Sequence, residues 1–227
     1  MIDLAPLWLT AELALITTAI LLVVSIPLSY WLAYSKFKLK SVVEAIVSLP
    51  LVLPPSVLGF YLLVAFSPKN AFGEFLNQYF DIQLVFTFEG LIVASVIYSL
   101  PFMVHPIQAG LKNLPVSLKE ASFTLGKSRF TTLVKILLPN IKTSILTGIV
   151  LTFAHTVGEF GVVLMIGGSI PKETRVAAIA VYDEVQAMNY DAANLYAGIL
   201  FIFTFSVLLG VYLINNSFSK ANPLNND

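Results

Sequence analysis

The residues best placed to do chemistry lie in HTVGEFG, residues 155 to 161, inside a long apolar stretch. An acid near the centre of a membrane span costs about 2.5 to 3.5 kcal/mol on insertion scales, so Glu159 needs a partner or water. His155 lies at i−4, on the same helical face, and is placed for a hydrogen bond or an ion pair with it. Such a pair supports two chemistries: a fixed bond between helices, or a proton relay. Enzyme chemistry fits poorly. The second histidine, His105, falls in a different apolar stretch, and no nucleophile motif accompanies either ring. The chain has no cysteine, which excludes disulfides and thiolate metal sites, and no His/Asp/Glu cluster has ligand spacing. No cofactor is expected. There is no Gly-x-x-x-x-Gly-Lys-Ser/Thr loop either, so any ATP consumed must be hydrolysed by another polypeptide.

The elements that hold these residues follow from composition. Of 227 residues, 57% are hydrophobic and 11% charged, with a mean hydropathy of +0.85. That is too apolar for an ordinary soluble domain. Crossing a bilayer takes about 20 mainly apolar residues, and such stretches lie near 13–34, 45–66, 90–111, 143–166 and 193–214. The expectation is an all-α polytopic membrane protein, a single transmembrane unit over 1–220 with a flexible tail at 221–227. Asp3 and Glu12, where a signal peptide would be basic, mark the first stretch as a permanent span.

Lysine and arginine favour the cytoplasmic side. Lys36, Lys38 and Lys40 lie between spans 1 and 2, and Lys112, Lys119, Lys127, Arg129, Lys135 and Lys142 between spans 3 and 4. Lys220 lies in the tail, while Lys69, Lys172 and Arg175 fall on the opposite side. This asymmetry puts the N-terminus outside and the C-terminus in the cytoplasm. The shorter outer loop, 67–89, reads as ordinary connecting structure.

The second stretch contains SLPLVLPPSVLG, with Pro50, Pro54, Pro55 and Gly59. A proline inside a helix costs roughly 3 kcal/mol unless something compensates. Bent backbone at membrane depth is tolerated where it lines a water-filled cavity or is buried in protein. These residues are therefore candidates for a translocation pathway, with a packing kink as the alternative. Pro101 and Pro106 read as ordinary packing prolines. No span carries a lysine or arginine to grip an anion. Ser56, Thr152 and Thr156 remain as weak hydrogen-bonding groups, or as hydroxyls bonded to their own helices.

The loop between spans 3 and 4, residues 114–140, reads as two short amphipathic helices. Leu118, Ala121 and Leu125 form one apolar pattern, and Phe130, Leu133, Val134 and Leu137 the next. Gly126 suits the left-handed junction, Ser128 a cap, and Pro139 the stop before span 4. Ser117 to Glu120 reads as a capping box.

Within this loop, EASFTLG and, nine residues on, ILLP resemble the EAA loop of ABC importer permeases. Glu120, Ala121, Gly126, Ile136, Leu138 and Pro139 match in type and spacing, with Ser122 in place of the usual second alanine. The resemblance implies that this loop is a coupling helix inserted into an ATPase subunit. EAIVSLPLVLPPSVLGFYLL at 44–63 and HTVGEFGVVLMIGGSIPKETRVAAIAVYDEVQ at 155–186 are similar to the molybdate-type oxyanion permeases within that family. That similarity implies a homodimer in a bacterial or archaeal cell membrane. Two ATP-binding subunits and an external oxyanion-binding protein would be its partners, with lipid around it and no nucleic acid. It also implies that the outer segment 167–192 receives the binding protein, with Lys172, Arg175 and Tyr182 as candidate contacts and local pairing as the alternative for Arg175. Val176, Ile179, Ala180 and Val185 predict a short packed helix there.

For a dianionic cargo, an ionised Glu159 would repel the substrate. Its candidate roles are a bond between spans in the gate region, a dimer contact or pathway lining. Tungstate and sulfate are alternative cargoes. A self-sufficient proton-coupled transporter is the rival from another class, opposed by the lack of an internal repeat.

Overall fold

The structure, a computed structural model, describes residues 3–220, and side chains as far as residue 213; the tail at 221–227 lies outside the described residues. The described chain is helical without strands. Its helices are α1 (Ala5–Tyr34), α2 (Lys40–Val52), α3 (Pro55–Phe66), α4 (Ala71–Phe80), α5 (Phe88–Asn113), α6 (Val116–Thr124), α7 (Arg129–Thr132), α8 (Leu138–Asn140), α9 (Lys142–Val157), α10 (Gly161–Gly167), α11 (Ala177–Gln186) and α12 (Tyr190–Lys220), with a π turn at Leu133–Leu137 between α7 and α8.

Among the described residues, α1, α5 and Tyr190–Leu213 of α12 are each long and apolar enough to cross a membrane unbroken. Two pairs qualify only together and are sharply bent: α2 with α3 at 114°, and Arg129–Asn140 with α9 at 79°, which brings the crossings to as many as five. The expected second span is thus two helices joined by Leu53 and Pro54 in extended conformation. The expected fourth span is also interrupted: α9 ends at Val157 and α10 begins at Gly161.

Helices α1, α5 and α9 pack on one another at the centre. One core joins Leu21 of α1, Met103, Ile107 and Leu111 of α5, and Leu137 of the π turn and Ile141 just ahead of α9. A second joins Leu13, Leu91 and Ala94 to Val162, Val163 and Ile166 of α10 and to Val176 and Ile179 around α11. Lipid tails are as apolar as these side chains, so within the membrane the cores are held by close van der Waals packing rather than by removal of apolar area from water. By contrast, only 6% of the most apolar window of α12 is buried within the chain. Its outward side chains, such as Phe201 and Ile202, are left for lipid or another protein.

Two local expectations need correction. The 67–89 segment is not plain connection, because it carries α4, on which Phe72, Phe75 and Tyr79 recur at helical spacing and remain exposed. The capping box does not form: α6 already starts at Val116 with Pro115 at its N-cap and no side-chain cap, so Ser117 is inside the helix. Pro139 ends its helix one residue on, as expected, with a 79° bend at Ile141 before α9 begins. The π turn sends Leu138 N–H to Leu133 O, which loosens the turn ahead of the proline, and the chain stays helical to Asn140.

Candidate pathway and coupling sites

The two interrupted stretches meet at their breaks. α3 lies against α10, and two glycines set how closely. A Cβ on Gly161 would stand 2.7 Å from Cβ of Pro55, and a Cβ on Gly59 would stand 2.8 Å from Cβ of Met165 and 3.1 Å from Cα of Val162. Small residues allow such approach between membrane helices. The cis-less turn at Leu53 and Pro54 swings α3 across to make this contact.

Beside the junction lies a cavity of about 590 Å³, lined by Pro55, Ser56, Tyr98, His155, Glu159 and Phe160 among others. Of the pathway residues expected from sequence, the fold brings Pro55, Ser56 and Glu159 to this cavity, and Pro54 forms the bend beside it. Pro50 and Gly59 are buried in packing. Thr152 and Thr156 are also buried, away from the cavity lining, with Thr156 Oγ1 donating to Thr152 O at 3.0 Å.

His155 does not pair with Glu159. Its Nδ1 meets Ser99 Oγ at 2.9 Å, and its ring stacks on Phe102 at 4.0 Å with Tyr98 tilted beside it at 4.7 Å. The reason is local. An i−4 relation holds only while a helix continues, and here it ends at Val157, so Glu159 stands in the break beyond Gly158. Glu159 is 4% exposed, and neither carboxylate oxygen has a hydrogen-bond partner. The buried Ser95 hydroxyl is placed to donate toward this carboxyl but falls short of full hydrogen-bond geometry. Ser95, Tyr98, Ser99 and Phe102 escaped the sequence reading, although their spacing of three and four residues along α5 places them on one helical face.

The candidate coupling segment is an elbow. Gly126 has φ +70° and nothing within 4 Å of a Cβ position. The Ser128 hydroxyl accepts from Thr131 N–H at 3.1 Å, the expected cap. Thr132 Oγ1 donates to Ser128 O at 2.9 Å, so the 2.8 Å contact between Ser122 and Thr132 hydroxyls is donated by Ser122. That bond clamps α6 to α7. Leu137 is packed into the body, while Leu125 and Phe130 are 74% and 75% exposed. Glu120, Ala121, Gly126 and Pro139 are on the surface, with Ile136 and Leu138 half-buried. The elbow is therefore supported on one side and bare and apolar on the other.

On the opposite end of the fold, Arg175 Nε donates to Asp183 at 2.9 Å and Nη2 to Glu184 at 3.2 Å. Partial burial opposes its charge, but the hydrogen bonds and charges of these two carboxylates outweigh that and hold the guanidinium pKa above its ordinary value. Its candidate role thus coexists with local pairing. Lys172 is exposed with φ 66°. The Tyr182 ring is tilted against Phe160 of the cavity, with centroids 5.1 Å apart. Val185, expected in the packed face of α11, is exposed instead.

Comparison with known proteins gives a consistent picture. The family described as binding-protein-dependent transport system inner membrane component matches residues 25–220. The molybdenum transport system permease protein ModB of Azotobacter vinelandii is 47% identical, covering 92% of this chain and 93% of that one. ModB of Escherichia coli K12 is 32% identical over 95% and 97% of the two chains. The sulfate transport system permease protein CysT of Salmonella typhimurium is 31% identical over 82% and 66%. Among solved structures, the inward-facing MetNI methionine ABC transporter superposes with a TM-score of 0.73 at 18% identity, covering 93% of this chain and 94% of that one. A bacterial alginate ABC transporter in complex with a pentasaccharide-bound periplasmic protein superposes at 0.70 and 20% identity, over 95% and 80%. At such identities the structures speak for the fold.

Proposed function

Because the chain belongs to the family of binding-protein-dependent transport system inner membrane components, we propose that it is the permease subunit of an ABC importer that takes up molybdate. The observation that supports this cargo most directly is the 47% identity to a molybdenum permease along nearly the full length of both chains, against 31% to a sulfate permease. Two copies of this chain would form the pore, with two ATP-binding subunits in the cytoplasm and an external binding protein delivering the anion. In that arrangement the N-terminus is outside and the elbow is cytoplasmic.

The geometry supports a mechanical reading. The bare apolar side of α6 and α7 is the surface that an ATPase cleft would cover. The elbow follows directly from the end of α5 at Asn113 and leads into the start of α9 at Lys142, so a tilt of the elbow would reach both. α9 leads to the break that holds Glu159, and beyond it α10 rests on α3 at Gly161 and Pro55. The cavity can thereby change shape when the elbow moves. No lysine or arginine lines it, which suits a passage that releases an anion as readily as it admits one. Selection then rests with the binding protein.

The test is uptake of labelled molybdate by vesicles containing the assembled importer, with sulfate and tungstate as competitors. The molybdate assignment requires that excess sulfate leave uptake nearly unchanged. Equal competition by sulfate would move the assignment to a sulfate importer.

A further inference from the structure

Away from the pathway, a second cavity of about 400 Å³ opens where the end of α1 meets the elbow. Tyr30, Trp31 and Tyr34 of α1 form one wall, and Lys119 and Phe123 of α6 with Arg129 of α7 form the other. The wall is fixed. Tyr34 donates its hydroxyl proton to Leu111 O at 2.9 Å, and the Tyr30 ring meets it edge-on at 5.1 Å. Lys119 Nζ lies 4.1 Å from the Tyr34 ring centre and 5.9 Å from that of Phe123. The rings hold the ammonium by cation–π attraction and leave its hydrogens for an anion. Among the described residues, neither Lys119 nor Arg129 forms an ion pair with a carboxylate.

Two uncompensated cations facing an aromatic wall call for an anion with an apolar neighbour. The depth narrows the choice further. Tyr30, Trp31 and Tyr34 belong to the last turns of a membrane-spanning helix, the level at which aromatic belts and lipid headgroups lie. A planar guanidinium and an ammonium lining one cavity match phosphate oxygens. We infer that the cavity between α1 and the elbow is a phosphate site that takes the headgroup of an anionic phospholipid. Occupied, it would tie the elbow to the membrane surface.

The test uses the full-length permease carrying Trp8→Phe, which leaves Trp31 as the one tryptophan of the two in the chain. Its emission is followed in phosphatidylcholine micelles as phosphatidylglycerol or inorganic phosphate is added. The expected result is a saturable response to phosphatidylglycerol whose midpoint shifts about tenfold or more in Lys119→Gln/Arg129→Gln, as removing two cations near a headgroup requires. Lys119→Arg should restore binding, and Lys69→Gln should leave it unchanged. Circular dichroism of each variant separates lost binding from lost folding. A response to inorganic phosphate in place of the lipid would overturn the lipid assignment. Equal phosphatidylglycerol binding by the double variant, or a Trp31 response only when the ATPase subunit is added, would overturn the site.

Discussion

Pro55 and Gly161 touch so closely that a side chain on residue 161 would put its Cβ 2.7 Å from Cβ of the proline. The contact joins the two interrupted stretches next to the cavity that holds Glu159. Backbone sits on one side of this contact and a rigid ring on the other, so neither can yield cheaply. Gly161→Ala is expected to cost about 1 to 3 kcal/mol through overpacking. Thermal unfolding in detergent should show a lower midpoint, and uptake should fall more steeply than membrane insertion.

Glu159 poses the opposite case, a buried group whose one candidate donor, Ser95, falls short of full hydrogen-bond geometry. An unpaired buried carboxylate is expensive, and the amide of the same shape carries no charge. Glu159→Gln is therefore expected to leave the unfolding midpoint unchanged or higher while lowering transport. A variant that is both as stable and as active as the parent would deny the carboxyl any special role.

At the elbow, φ of +70° at Gly126 costs a non-glycine residue roughly 1 to 2 kcal/mol and more for a β-branched one. Gly126→Val is expected to insert normally yet to uncouple ATP hydrolysis from uptake, and Gly126→Asn to keep most of the coupling. Paired measurements of phosphate release and molybdate accumulation on one vesicle preparation check both.

The clamp between Ser122 and Thr132 has a smaller predicted effect. Ser122→Ala removes one donated hydrogen bond, worth about 0.5 to 1.5 kcal/mol, while Thr132 keeps its bond to Ser128 O. Faster amide exchange across 122–132 with little change elsewhere is the expected readout.

How much of this was legible in the sequence depended on whether the signal was local. The apolar stretches, the left-handed Gly126 and the Ser128 cap each follow from a few adjacent residues, and the structure contains them. Pro54 and Pro55 announced a break but not its 114° angle, which comes from α3 seating on α10. The partnership of His155 with Ser99 spans 56 positions, beyond any periodicity argument, and the expected pairing with Glu159 assumed a helix that stops two residues short. α4 is not legible from Pro68, Asn70, Gly73 and the acids of the 67–89 segment, which read as a loop; its signal is the spacing of Phe72, Phe75 and Tyr79.

The most direct test of the central claim is molybdate accumulation in vesicles that contain the permease and the external binding protein, with the ATPase subunits either present or omitted. Accumulation should require those subunits and internal ATP, and should be indifferent to an imposed proton gradient. Uptake at full rate without the ATPase, or driven by the proton gradient alone, would contradict the account.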